Sequence, residues 1–409
     1  MTPQRLRSAA LLAVSLIVLL SCSVSAESAP RTGPDGVVRL LHIGKAWLRG
    51  GYPATVWVQD PRISWYPVPS HAWSMGEEAF RMMRLYLPRS SSVLFGDFDV
   101  IVEDGMDASH LPSNFHHWVK EGVHDRGMGF LMADDSSSFA TSGRHTSWYL
   151  FPIGDILPVR DKPEIYYEKH GYRIVVESEY ENHPLMRNIP WKEIRIWAHN
   201  RPDEKEGAIV LARMSPEIVF NRNKPVIVYW DYGQGRATAY VHKWHGTPDF
   251  YRWKWHADVL SHLIYFQARV SIPEDLELEH AVRLLFNTFH YKRTYLLSTM
   301  DFADKFGANL RHVEEQMAQV GEKKKEADRL YIRQNIQESR DMLQGLVEEL
   351  ESLTQEVIRA KDKAMMWIFI SEWLAVSGTS MVAGFVLWTL MVRRRLYSCL
   401  LYTSPSPRD

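Results

Sequence analysis

Apolar positions along this chain follow three rhythms. The first is a set of short unbroken runs. Phe98-Asp99-Val100-Ile101-Val102 empties into Glu103-Asp104-Gly105, and a second run over residues 127–133 ends in two aspartates and three serines. Runs of this length, closed by turn residues, read as strands of a parallel sheet buried on both faces. Between them, residues 111–123 place Phe115, Trp118 and Val119 on one helical face, and Gly122 loosens the end. Strand, helix and strand make one βαβ unit with a right-handed crossover.

The second rhythm is helical. Residues 274–297 read as an amphipathic helix, with Leu276, Val282, Leu285, Phe286 and Phe289 expected to pack against the α/β domain. Further on, Ile336, Leu343, Leu346, Leu350, Leu353 and Val357 recur by threes and fours as a seam of roughly four heptads, broken by Ser339. Two arrangements suit the seam. One is a coiled-coil stalk that forms a homodimer. The other is an antiparallel hairpin against Val313, Met317 and Val320, with Gly321 and Lys323-Lys324-Lys325 as its turn or solvated face.

The third rhythm is continuous apolarity, and it occurs near both ends. Arg5 and Arg7 precede an apolar run over residues 9–20, and Val24-Ser25-Ala26 has the small-residue pattern of a cleavage site, so residues 1–26 read as a signal peptide. A lipoprotein signal with Cys22 as the lipidated residue is the alternative. Residues 373–392 carry no charge and are long enough to cross a bilayer as a helix. Arg393-Arg394-Arg395 follows directly, which by the positive-inside rule puts the C-terminus in the cytoplasm and the larger N-terminal part on the periplasmic or extracellular side. Trp367, Trp373 and Trp388 suit interfacial anchoring.

These rhythms divide the chain into a signal peptide (1–26), an α/β domain (36–270), a helical stalk (271–363), a transmembrane helix (364–392) and a cytoplasmic tail (393–409). Residues 399–409 resemble translated sequencing-adapter sequence and are set aside from the fold reasoning. With 48 basic and 49 acidic residues the formal charge is −1, which gives no sign of a nucleic-acid partner. Two cysteines in 409 residues exclude a disulfide scaffold.

Several blocks, in order, resemble the putative glutamine amidotransferase domains of the class I amidotransferase-like superfamily. They are the residues 40–47 with their Gly44-x-x-Trp47 exit, 98–105, 127–139 and 154–159. His183-Pro184-Leu185 with Ile189-Pro190-Trp191, then residues 208–212 and 226–238, continue the series, which spans about 37–270. The resemblance implies a three-layer, flavodoxin-like α/β fold with a mostly parallel sheet. It also implies a nucleophilic cysteine on the turn after the second strand of the βαβ unit. That turn here is Asp134-Asp135-Ser136, and no cysteine lies between Cys22 and Cys399. Without a thiol the usual chemistry has no nucleophile, and no cofactor is expected. The expectation is therefore a pseudoenzyme: a membrane-anchored, envelope-facing domain that binds a ligand or a partner, other envelope proteins included.

The alternative is a hydrolase or transferase that reuses the same sheet edge. Its catalytic candidates are Asp134, Asp135, Ser136 and His245. Glu103, Asp104, Asp134, Asp135, Ser136, Trp244 and His245 are the ligand-binding candidates. Ser136 would need a histidine base, drawn from His145, His242 or His245. Two acidic loops side by side offer oxygen ligands for a divalent cation, although capping of the following turn explains Asp134 and Asp135 more simply. His242, His245 and His256 have zinc-ligand chemistry. Packing of this aromatic-rich segment onto the sheet, with partly exposed histidines, is the preferred reading, so no metal is expected.

Overall fold

The computed structural model describes residues 29–70, 77–134, 138–139, 146–160, 162, 165–215, 224–244 and 248–402. The expected signal segment, Asp135, Ser136, His145, His245 and the last residues of the tail therefore lie outside the described residues. Two compact units divide the rest: one reaches Arg283 and takes in Asp328–Ile336, and the other comprises Leu284–Ala327 and Gln337 onward.

Among the described residues, nine strands build the main sheet of the first unit. β1 (Val38–Gly44), β2 (Ile63–Pro69), β3 (Val100–Asp104) and β4 (Gly129–Ala133) come first in the chain. β5 (Val159–Arg160) and β8 (Asp203–Glu204) form a separate pair, while β6 (Ile165–Val176), β7 (Arg195–Asn200), β9 (Ile209–Met214), β10 (Pro225–Tyr232) and β11 (Gly235–Tyr240) complete the sheet. The order is β2-β1-β3-β4-β11-β10-β9-β6-β7. The first five run parallel, and each later neighbour runs antiparallel to the one before it. It is a mixed sheet with a parallel half.

The parallel half is buried on both faces. Leu40, Val100, Val102 and Leu131 point to one face and Leu41, Ile101, Phe130 and Met132 to the other, the alternation that the pleat imposes. The first face is covered by α1 (Ala54–Trp57) through Trp57 and by α7 (His256–Gln267) through Val259, Leu260, Leu263 and Ile264. The second face is covered by α2 (Glu77–Tyr86), α3 (Ser91–Asp97), α4 (Ser113–Arg126) and α5 (Pro152–Ile156), whose Met83, Leu94, Phe115, Val119 and Ile153 are buried there. α6 (Pro248–Tyr251) is a single turn that brings Phe250 into the first core. Trp244 and Trp255 join α7 to the sheet as anticipated, with Phe250 beside them, but His242 and His256 are buried with them rather than partly exposed.

Two long helices begin or end in this unit. The first turns of α8 (Leu276–Asp304) and the last turn of α9 (Arg311–Ile332) meet α7 around Arg283. Its guanidinium bonds Asp60 at 2.8 Å, Asp258 at 3.0 Å and Glu279 at 3.0 Å, all buried. His280 lies 2.7 Å from Asp258 and His262 2.6 Å from Glu279. Burial alone would raise the Asp60 and Asp258 pKa values. The charge and hydrogen bonds of Arg283, with His280 at Asp258 and Tyr265 at Asp60, hold both below the ordinary range.

In the second unit, α8 and α9 continue beside α10 (Ile336–Tyr402). Phe289, Leu296 and Ala303 of α8, Val313 and Val320 of α9, and Leu346, Leu350, Leu353 and Val357 of α10 share one core. The heptad seam is packed by the chain's own helices, Val313, Met317 and Val320 among them, as in the antiparallel-hairpin arrangement. Ser339 interrupts the seam without harm, because its hydroxyl donates to Ala327 O at 2.9 Å. Gly321 and the three lysines lie within α9, and the turn falls at residues 333–335 instead, where Gln334 takes φ 68°. Of the residues assigned to the α/β domain, Leu276 packs there, whereas Phe289 belongs to the helical core and Leu285 is half-buried. Beyond that core α10 is apolar and exposed, long and apolar enough to cross a membrane.

Candidate functional site

The carboxyl ends of the parallel strands meet where Gly44, Asp104, Ala133 and Tyr240 lie side by side. Contact there is too close for side chains on every strand. A Cβ on Gly44, which has φ 118°, would come 2.1 Å from Asp104 O, and one on Gly105 would come 2.3 Å from Asp134 Oδ2. Glycine at both positions lets three loops converge.

Asp134 occupies the turn after β4. Its φ is 114°, a backbone state that a non-glycine residue holds only when its surroundings impose it. Its amide donates to His242 O at 3.3 Å, and its fully buried carboxylate is ion-paired with Lys45, which follows β1 and is itself buried. The Lys45 amide in turn donates to Asp104 O at 3.0 Å. Asp134 thus pairs across the sheet edge with a cation from another strand; the turn that it was expected to cap lies outside the described residues.

Glu103 and Asp104 belong to β3 itself and are buried, where the sequence suggested loop positions. Burial pushes the Glu103 carboxyl well above its ordinary range, against the opposing hydrogen bond from Met106 N–H at 2.5 Å. The surrounding geometry agrees with a protonated group. Ser138 Oγ lies 3.0 Å from Glu103 Oε2 and 2.8 Å from Ala133 O, but a hydroxyl has one proton to give. With Glu103 protonated, its Oε2–H donates to Ser138 and Ser138 donates to Ala133.

His42 approaches from β1. The Trp65 indole can only donate, and its Nε1 stands 3.2 Å from His42 Nδ1, so the imidazole proton is on Nε2, 3.6 Å from Asp104 Oδ2. The Trp57 ring meets His42 edge-on at 4.9 Å and Trp244 at 5.7 Å. Trp244, a ligand-contacting candidate in the sequence, is fully buried here. His242 packs edge-on against Tyr240 and Phe250, each at 5.8 Å. His256 meets Phe250 at 4.8 Å, and burial lowers its pKa to about 4. These two histidines are part of an aromatic core, and among the described residues no group of His, Cys, Asp or Glu is arranged to hold a metal.

Of the proposed site residues, Glu103, Asp104 and Asp134 are brought together, and all three are buried. Asp135, Ser136 and His245 lie outside the described residues. Sequence reasoning missed Lys45 and His42 as members of the cluster. The available signal was a lysine directly past a strand end, facing two strands that end in carboxylates.

No family model matches the sequence, and no curated protein matches it either. Solved structures that it matches include two cytoplasmic proteins of Salmonella typhimurium. One is 18% identical with a TM-score of 0.46, and the other is 17% identical with the same score. Each match covers 56% of this chain and 99% of the other. A β-galactosidase from Rahnella sp. R3 matches at 12% identity and a TM-score of 0.33 over 58% of this chain, which spans 32% of that enzyme.

Proposed function

We propose that residues 36–270 are an amidotransferase-like domain without amidotransferase activity, facing the cell envelope and used to bind a ligand or partner while α10 holds the chain in a membrane. The supporting observation is Asp134 at the turn after β4, buried and ion-paired with Lys45. A nucleophile at this turn has to reach substrate, and a carboxylate neutralised by a buried lysine does not. Thiol chemistry is closed as well, since the chain has no cysteine between Cys22 and Cys399. The binding role falls to surfaces other than the buried Glu103, Asp104, Asp134 and Trp244.

The test is ammonia release from glutamine by the purified full-length protein. The expected rate equals that of a heat-inactivated control and is unchanged in Asp134→Ala. Saturable hydrolysis that Asp134→Ala abolishes would sink the proposal. One observation favours a second reading: the left-handed backbone of Asp134 is the kind of strain found at nucleophile turns. Hydrolysis of p-nitrophenyl esters or phosphate, lost in Asp134→Ala, would establish an oxygen-nucleophile hydrolase instead.

A further inference from the structure

A cavity of 530 Å³ lies over the second core of the first unit, between α2 with the loop that follows it and the segment that leaves β3 for α4. Its lining is mostly apolar. Met83, Leu87, Leu111 and Phe115 are buried there, and Phe80 and Trp118 line it with them. Phe80, 39% exposed, meets His110 edge-on at 5.6 Å, and Trp118 meets Phe115 at 6.3 Å. The volume is that of a small-molecule site, and at about 30 Å³ per water-sized group it suits a ligand of fewer than about twenty non-hydrogen atoms.

The charge around it has one sign. Arg84 and Arg89 line the cavity and are exposed, and neither guanidinium has a hydrogen-bond or ion-pair partner among the described residues. No carboxylate is among the described residues of the lining. Arg84 lies in the last turn of α2, where the helix dipole favours a cation in any case. Arg89 has no such explanation. It directly precedes Ser90, whose hydroxyl accepts from Val93 N–H as the N-cap of α3, so the dipole of that helix opposes its charge. Two guanidiniums left without partners beside an apolar cavity match a ligand with a negative head and a hydrocarbon body.

We propose that this cavity binds a small aromatic carboxylate, its ring among Phe80, Phe115 and Trp118 and its carboxylate held by Arg84 and Arg89. The lining selects an aryl body, because rings packed edge-to-face or offset against aromatic neighbours gain more than their buried area alone supplies. Arginine suits the head, since its planar fork meets a carboxylate through two parallel hydrogen bonds. None of Glu103, Asp104, Asp134 and Trp244 lines the site. It gives the binding role proposed above a ligand class, and to that extent rests on that reading.

The test titrates a fluorinated phenylbutyrate into the purified full-length protein in detergent micelles and follows its fluorine NMR signal. Saturable broadening is expected. Binding should be at least about tenfold weaker for the matching amide, which keeps the ring and loses the charge, and for the carboxylate with Arg84→Gln plus Arg89→Gln. Arg81→Gln removes an exposed cation of the same helix that does not line the cavity, and should leave binding unchanged. Equal binding of amide and carboxylate would report apolar partition alone and overturn the proposal. So would binding that survives the double substitution, or no saturable binding. The amide comparison is made on the unaltered protein and decides the matter even where a variant fails to fold. Ammonia release from glutamine with carboxylate binding intact overturns the non-catalytic reading alone, and absence of both overturns this inference alone.

Discussion

At the scale of single residues, the sheet edge is defined by where protons and charges reside. Lys45 and Asp134 pair as buried charges, and burial pushes the Glu103 carboxyl well above its ordinary range, which lowers the cost of burying it. The sign of the pH dependence follows. A folded-state pKa above the unfolded value gives stability that is complete below the unfolded value, about 4.5 for this carboxyl, and is lost as the pH rises toward the folded value. Glu103→Gln keeps an acceptor for Met106 N–H and a donor for Ser138 without the titration. Its stability relative to the parent protein should therefore climb with pH above 4.5 by about 1.4 kcal/mol per unit, until the folded-state pKa is passed. Urea unfolding midpoints of the two proteins at pH 5 and pH 7 measure this; an unchanged difference would mean that Glu103 is ionised in the fold. Part of this site was legible in the sequence, because carboxylates at the ends of apolar runs had to converge once those runs were parallel neighbours. Lys45 was not, since pairing across strands is a property of register and local sequence around a lysine does not encode it.

Among the elements, those with a strong local rhythm were the readable ones. β4 and α4 fall close to the positions their patterns set, and β3 is displaced by two residues because Glu103 and Asp104 extend the pleat. The antiparallel half of the sheet carried weaker signals: β6 and β7 pair through a register shift between Tyr167 and Tyr172 that no alternation in the sequence announces. The heptad seam was read correctly as a buried stripe, but a stripe does not say whose helix buries it. α8 held a feature that periodicity hides altogether. Arg283 lies on its apolar face and is buried among Asp60, Asp258 and Glu279. Arg283→Met leaves three carboxylates without their shared cation and should destabilise the first unit by about 3–5 kcal/mol, the range for breaking a buried pair. Chemical denaturation followed by tryptophan fluorescence would measure the loss, and a change below about 1 kcal/mol would imply that water already screens the cluster.

For the whole molecule, the decisive property is the contrast between a fully packed α/β unit and a helix whose last stretch covers its apolar side chains with nothing. Trp367, Phe369, Trp373, Leu374, Phe385 and Trp388 are each about two-thirds exposed, which in water would make α10 an aggregation surface. Embedded in lipid they cost nothing. The full-length protein is therefore expected to stay in the membrane pellet through alkaline carbonate extraction, and a chain ended at Lys363 to leave it. Release of the full-length chain would refute the anchor.

α10 runs 67 residues from Ile336 to Tyr402 without a proline, about 100 Å at 1.5 Å per residue. Its first half is held in the helical core by Leu346, Leu350, Leu353 and Val357, and its second half is the apolar stretch. Such a rod has no joint in which a twist can dissipate. The rotational setting of the buried seam residues therefore fixes that of every side chain from Met366 to Val392, since a continuous helix keeps one phase along its length.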